Sequence, residues 1–161
     1  PQGVEYVMAA RIRGKLPGHV FQGEAGQTLE FEIGLTLSTR EEMSYLEILK
    51  DGRVEHEIRF DQYAQSGRLP KLKFDRSGWF AVRAVADLPN NFRFAMSGPW
   101  YVEKGYGRRI SKASAQFFLD WVMERARQIS LDDSQQRREV LEYHRAARDF
   151  WQGLVAKANA E

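Results

Sequence analysis

The hydrophobic period of this chain changes once, near residue 103, and this change limits the folds that are open to it. Before that point apolar residues alternate with polar or small ones, as in Leu29, Phe31, Ile33, Leu35 and Leu37. Such alternation is typical of strands that cover a core with one face. After it, apolar residues recur at helical spacing, in the stripe Phe117, Phe118, Trp121, Val122, Arg125 and Ile129. We therefore predict a β domain at 1–103 and a helical extension at 104–161.

Turn signals divide the first 103 residues into about seven short strands. The clearest signal is the pair 45–50 and 53–60, because the intervening Asp51-Gly52 accepts the positive φ angles of a type I′ hairpin. Further strands are predicted at 6–13, 28–37, 68–74, 78–87 and 92–96, with a last strand segment at 100–103, and Pro70 places its strand at an edge or bulge. The fold class is therefore predicted to be mainly β with α, an antiparallel β-sandwich of immunoglobulin-like size.

Two helices are predicted in the extension, at about 111–129 and 131–158. Ser111 is the expected N-cap of the first helix, and Ser130 with Asp133 resembles a capping box for the second. The apolar stripe of the second helix consists of Val140, His144, Ala147, Trp151 and Leu154. Because aromatic-rich helical faces are unstable in water, we expect the helices to pack on each other, on the sandwich or on an absent domain.

Charge and cysteine content exclude several classes of function. The chain has no cysteine, which excludes disulfides, thiolate metal sites and cysteine nucleophiles. Residues 1–102 carry 13 Lys/Arg and 13 Asp/Glu, and residues 103–161 carry 11 and 9, so neither part has the basic bias of a nucleic-acid-binding domain. No apolar run approaches the roughly 18 residues of a membrane span. We expect neither a nucleic-acid partner nor membrane insertion.

No pattern of catalytic or metal-binding residues is present. The three histidines, His19, His56 and His144, lack any His-x-His or His-Glu-x-x-His spacing. We therefore expect no catalytic residue, no metal and no cofactor in this chain. The weak binding candidates are His19, in a loop, and an aromatic platform for a sugar or partner formed by Trp79, Trp100 and Tyr101. The alternative for these aromatic side chains is that they fill the core.

Several short motifs occur in an order that resembles a known sandwich. They are Arg-Ile-Arg-Gly-Lys-Leu-Pro-Gly at 11–18, Gly26 before the strand 29–37, the hairpin at 45–54, Gly-Trp-Phe-Ala-Val-Arg-Ala at 78–84 and Ser-Gly-Pro-Trp-Tyr-Val at 97–102. Over about residues 8–103 this order resembles the β-sandwich that follows the catalytic domain in PHP-type (polymerase and histidinol phosphatase) metallohydrolases of the carbaryl-hydrolase-like branch.

The resemblance implies a non-catalytic accessory domain. In that family the metal ligands belong to the preceding catalytic domain, and none of those motifs occurs here. The chain would then be the C-terminal part of a longer protein, with the preceding catalytic domain of the same parent chain as its partner. The helical extension is not a general feature of the family. A stand-alone sandwich that binds carbohydrate or another polymer remains the alternative, and the oligomeric state is open.

Overall fold

The computed structural model of the protein describes residues 7–39 and 41–161 and divides the chain into two units, Pro1–Arg108 and Arg109–Glu161. Tyr6, the first residue of the predicted strand 6–13, lies outside the described residues. The described part of the first unit contains ten strands: β1 (Val7–Ile12), β2 (Val20–Gly23), β3 (Leu29–Phe31), β4 (Ile33–Ser38), β5 (Met43–Lys50), β6 (Arg53–Arg59), β7 (Leu72–Phe74), β8 (Gly78–Ala86), β9 (Phe94–Met96) and β10 (Trp100–Lys104). A short helix, α1 (Phe60–Ser66), lies between β6 and β7.

The first unit is a sandwich of two layers. One layer is a sheet of order β2-β10-β8-β5-β6, with β9 also paired to β8. The other layer consists of two strand pairs, β1-β4 and β3-β7. All pairings are antiparallel except that of β2 with β10, which is parallel. This arrangement has the immunoglobulin-like order, with β5, β8 and β10 in the C, F and G positions of one sheet and β1, β3–β4 and β7 in the A, B and E positions opposite.

Aromatic side chains join the two layers. Phe31 lies 5.6 Å from Phe80 and 6.0 Å from Phe74, measured between ring centroids. Phe80 in turn stacks on Trp100 at 5.5 Å. These rings belong to a core whose fully buried members come from both layers: Ile12, Phe31, Leu72 and Phe74 from one, and Leu46, Ile48, Phe80, Val82, Trp100 and Val102 from the other. The predicted fold class, an immunoglobulin-like sandwich followed by a helical pair, is confirmed.

The predicted hairpin is present with the expected turn. Asp51 and Gly52 have φ angles of 52° and 87°, so both central residues occupy the left-handed region that a type I′ turn requires. The Asp51 side chain also accepts a hydrogen bond of 3.0 Å from the backbone N–H of Trp79. The turn is therefore tied to β8 as well as to its own strands.

The segment after β6 differs from the prediction. The strand predicted at 53–60 ends at Arg59, and Phe60 begins helix α1. The helix is followed by Gly67, whose backbone is in the left-handed conformation. The Tyr63 hydroxyl donates to the carbonyl of Leu35 at 2.8 Å, which anchors the helix to the opposite layer. Burial raises the pKa of Tyr63. Of the strand predicted at 68–74 only Leu72–Phe74 forms, because Pro70 has no N–H to give to a ladder.

The second unit is the predicted helical pair, α2 (Lys112–Gln128) and α3 (Ser134–Ala156). Ser111 caps α2, since its hydroxyl accepts from the N–H of Ser114 at 3.2 Å. The predicted capping box at Ser130 is absent. Asp133 instead caps α3 by accepting from the N–H groups of Gln135 and Gln136, at 2.7 and 3.0 Å. Asp and Ser are similarly good N-caps, and here the aspartate carboxylate reaches both free amides.

The two ends of the helical unit meet. The N–H of Lys112 donates to the carbonyl of Ala160 at 2.7 Å, and the N–H of Ile110 donates to the Asn159 side chain at 2.9 Å. These bonds close the unit on itself and satisfy amides that precede or begin α2. Within the described residues, no helix is long and apolar enough to span a membrane.

Trp100→Ala tests whether the aromatic contacts across the sandwich hold it together. Trp100 is fully buried, so the substitution leaves a large cavity and should lower the free energy of unfolding by about 3–5 kcal/mol. The measurement is urea unfolding followed by circular dichroism. Tyr101→Ala is the matched control, because Tyr101 lies on the opposite face of the same strand and its loss should cost about 1 kcal/mol. Equal losses at the two positions would contradict this account of the core.

Candidate functional site

Trp100 does not belong to the predicted aromatic platform. Its side chain has no exposed area and lies in the core, where its Nε1 donates to the carbonyl of Lys15 at 3.3 Å. The stack on Phe80 fixes the ring in the interior. Trp100 therefore cannot touch a ligand on the folded surface, and its role is structural.

Trp79 and Tyr101 do lie side by side. They are cross-strand partners in β8 and β10, and both face away from the core. Val20 of β2 is the next residue in the same row, paired with Tyr101. Tyr101 is 41% exposed and Trp79 is half-buried. Two of the four predicted binding residues thus form one small apolar area on the outer face of the larger sheet.

His19 belongs to a different face. Its ring packs edge-on against Phe21, a core residue, with 4.7 Å between the centroids. The backbone carbonyl of His19 accepts from the N–H of Tyr101 at 3.0 Å, so the two residues are neighbours only through the backbone. Among the residues that the structure describes, no group of three or more histidine, aspartate or glutamate side chains is placed to hold a metal ion.

A buried ion pair lies at the centre of the outer face. Glu47 of β5 is 5% exposed, and its carboxylate accepts from Nε of Arg83 at 2.5 Å. The Arg83 guanidinium also lies over the ring of Phe94, at 5.6 Å from its centroid. The ion pair links β5 to β8, and the contact of Arg83 with Phe94 extends the link to β9. It leaves Phe94 and Met96 exposed beside it on β9.

The outer side of β3 and β7 carries a charged cluster that neutralises itself. The Lys71 ammonium lies 2.9 Å from carboxylate oxygens of both Glu30 and Glu32, and Lys73 lies 3.6 Å from Glu30. The hydrogen bonds to Glu30 and Glu32 raise the pKa of Lys71, and the bond from Lys71 is the main cause that lowers the pKa of Glu30. Each charge has an opposite partner, so this cluster offers little to a ligand.

The most prominent exposed surface is on the helical pair. Five aromatic rings form a continuous run there. Phe117 contacts Phe118, Phe118 contacts Trp121 and stacks on Trp151 of α3 at 4.7 Å, and Trp151 contacts Phe150. Phe117, Trp121 and Phe150 are 64%, 53% and 60% exposed. We call Phe117, Phe118, Trp121, Phe150 and Trp151 the aromatic surface.

The inward face of α2 is rotated from the predicted stripe. The prediction placed Phe117, Phe118 and Trp121 with Val122 and Ile129 on one packed face. The face that is buried or half-buried is instead made of Ala115, Leu119, Val122, Ala126 and Ile129. The signal was present in the sequence, because adjacent helical residues such as Phe117 and Phe118 point about 100° apart and cannot both face one neighbour. On α3 the predicted stripe is half-buried throughout.

Comparison with known proteins adds a distant structural similarity. No family model matches the sequence, and no curated protein matches it either. A fibronectin(III)-like module of CbhA from Clostridium thermocellum is similar in structure, with a TM-score of 0.35 and 12% sequence identity over 59% of this chain and 97% of that chain. A similarity this distant does not bear on function.

Arg83→Met tests the buried pair on the outer face. The substitution leaves the Glu47 carboxylate buried without its cation and should lower the free energy of unfolding by about 2 kcal/mol. The double variant Glu47→Leu/Arg83→Met removes both charges and should recover more than half of that loss. Urea unfolding of the wild type, Arg83→Met, Glu47→Leu and the double variant gives the coupling energy. Losses that simply add would mean that the two side chains do not stabilise each other.

Proposed function

We propose that this chain is a non-catalytic accessory domain that binds a protein partner through the aromatic surface of its helical pair. The observation that carries the proposal is the contiguity of that surface, five touching rings drawn from two helices. Exposed apolar patches on folded domains mark interaction sites more often than single exposed residues do. Aromatic side chains are also enriched in the centres of protein interfaces.

The partner that fits best is the catalytic domain preceding this domain in a larger protein. The resemblance of residues 8–103 to the sandwich of PHP-type metallohydrolases supports a metal-dependent hydrolase as that parent. In such an arrangement the sandwich supplies a rigid body and the helical pair supplies the contact. The domain would then help to shape or cover the cleft of the enzyme without contributing a reacting group.

Hydroxyl-radical footprinting of the full-length parent and of this chain alone tests the proposal. Oxidation of Phe117, Trp121 and Phe150 should be severalfold slower in the parent, because the partner domain covers these rings. The double substitution Phe117→Ser/Phe150→Ser in the parent should restore oxidation of Trp121 to the rate of the isolated chain. Both substituted residues are mostly exposed, so the fold should be retained.

Tyr143 is the internal control, because it is exposed on α3 and is not one of the rings of the aromatic surface. Its oxidation rate should be equal in the two proteins. Equal rates for Phe117, Trp121 and Phe150 as well would overturn the proposal. Slow oxidation of these rings in the isolated chain, compared with Tyr143, would mean that another part of this chain or a second copy covers them.

A second candidate function is the binding of carbohydrate or another polymer on the outer face of the larger sheet. One observation favours it, namely that Trp79 and Tyr101 are adjacent and directed away from the core. Flat aromatic side chains with a polar tip suit the apolar faces of sugar rings. Trp100, the third residue of the predicted platform, takes no part.

A glycan array probed with this chain tests the second candidate. If the platform binds a sugar, Tyr101→Ala should weaken binding to any positive glycan about tenfold, as expected for a central interface residue. Tyr143→Ala, a change of the same kind on the helical unit, should leave binding unchanged. An array without a positive glycan removes this candidate.

A further inference from the structure

A groove lies between α2 and α3, on the side of the helical pair away from the aromatic surface. It encloses about 290 Å³. Its apolar floor consists of Val122, Met123, Ala126 and Leu141, and its remaining lining is basic: His144, Arg145 and Arg148. No carboxylate lines it. The groove therefore combines an apolar strip with positive charge along one edge.

The groove and the aromatic surface occupy different flanks of the helices. Met123 follows Phe118 by five residues on α2, and Phe150 follows Arg145 by five on α3. Five residues correspond to a rotation of about 140° on a helix. A molecule in the groove therefore does not compete directly with one on the aromatic surface, and the present inference does not rest on the proposed function.

The arginines that line the groove, Arg145 and Arg148, belong to a helix in which basic and acidic residues alternate. Their alternation with acidic residues is typical of a helix laced by salt bridges. Among the described side chains, Arg145 donates to the carbonyl of Leu141 in its own helix, and Arg148 pairs with Asp149 at 2.7 Å. Of the two arginines that line the groove, only Arg148 is paired with a carboxylate in the described ion pairs, so the charge of Arg145 is left at its edge.

We propose that this groove binds an acidic amphipathic helix of a partner protein. The apolar floor would take side chains spaced at i, i+3 or i+4 and i+7, the usual anchors of a helix in a groove. The cations fit carboxylates of such a helix, because Arg145 and Arg148, one turn apart on α3, lie together at one edge of the groove. Charge complementarity of this kind selects partners and speeds their encounter.

Selection from a displayed library of random 16-residue peptides tests the inference. The bait is this chain, and counter-selection uses the variant Arg145→Glu/Arg148→Glu. The enriched peptides should be acidic and should carry apolar residues at helical spacing. Both substituted arginines lie on the outside of a long helix and glutamate is a good helix former, so the variant should fold, which circular dichroism verifies.

A synthetic version of the most enriched peptide gives the quantitative test. Its affinity should fall about tenfold with Arg145→Ala/Arg148→Ala, and Met123→Glu should weaken it comparably by placing a negative charge at the groove floor. Arg125→Ala is the matched control, because Arg125 lies on the flank of Phe118, and it should leave affinity unchanged. Affinity should also fall as salt is raised.

Three results would overturn the proposal. The first is a library without enrichment, and the second is enrichment of basic or neutral peptides. The third is binding that Arg145→Ala/Arg148→Ala leaves intact. Vesicles of phosphatidylserine and phosphatidylcholine and a single-stranded oligonucleotide serve as competing probes. If no peptide binds but one of these probes binds the wild type more tightly than the charge-reversed variant, the proposal is wrong. The groove would then be assigned to a membrane surface or to a nucleic acid, according to the probe.

Discussion

The contact of Phe31 with Phe80 across the sandwich is the interaction on which the rest of the first unit depends. It joins the two layers, and the Phe80–Trp100 stack extends it to the last strand. Because side chains alternate along a strand, turning Phe80 and Trp100 inward turns their neighbours Trp79 and Tyr101 outward. The same alternation brings Glu47 and Arg83 together on the outer face. The inward orientation of Phe80 and Trp100 thus determines which side chains form the core and which remain on the outer face.

The helical unit is limited by a different constraint. Two helices can bury only one stripe each against the other, and α2 uses small and aliphatic residues such as Ala115 and Val122 for that stripe. Phe117 and Trp121 are left exposed on a flank, and Phe118 stacks on Trp151 of α3 at the edge of the contact. The hydrogen bonds between Ile110–Lys112 and Asn159–Ala160 close the ends of the unit without covering that flank. A helical pair of this kind presents two unlike sides, one aromatic and one edged with arginine.

Much of the fold could be predicted because its signals are local. The alternation of residues 29–37, the Asp51-Gly52 turn and the helical spacing after residue 103 each act within a few residues. Helix α1 was not predicted, since its stability comes from Tyr63 reaching Leu35 in another part of the chain. The binding candidates divide in the same way. Trp79 and Tyr101 are neighbours because their strands pair. Trp100 is buried because alternate residues of β10 face the core, and the sequence alone does not show which set of residues does so.

The sequence by itself determined the elements: a β module of immunoglobulin-like size, its strongest hairpin, the two helices and the absence of thiol chemistry. These follow from backbone preferences and hydrophobic period, which are properties of short segments. Only the tertiary structure decided which face of each element is covered. That choice depends on the packing of distant side chains, as when Ala115 and Leu119 rather than Phe117 are covered. It is therefore the tertiary structure that leaves Phe117, Trp121 and Phe150 of the aromatic surface mostly exposed and forms a groove edged by arginine.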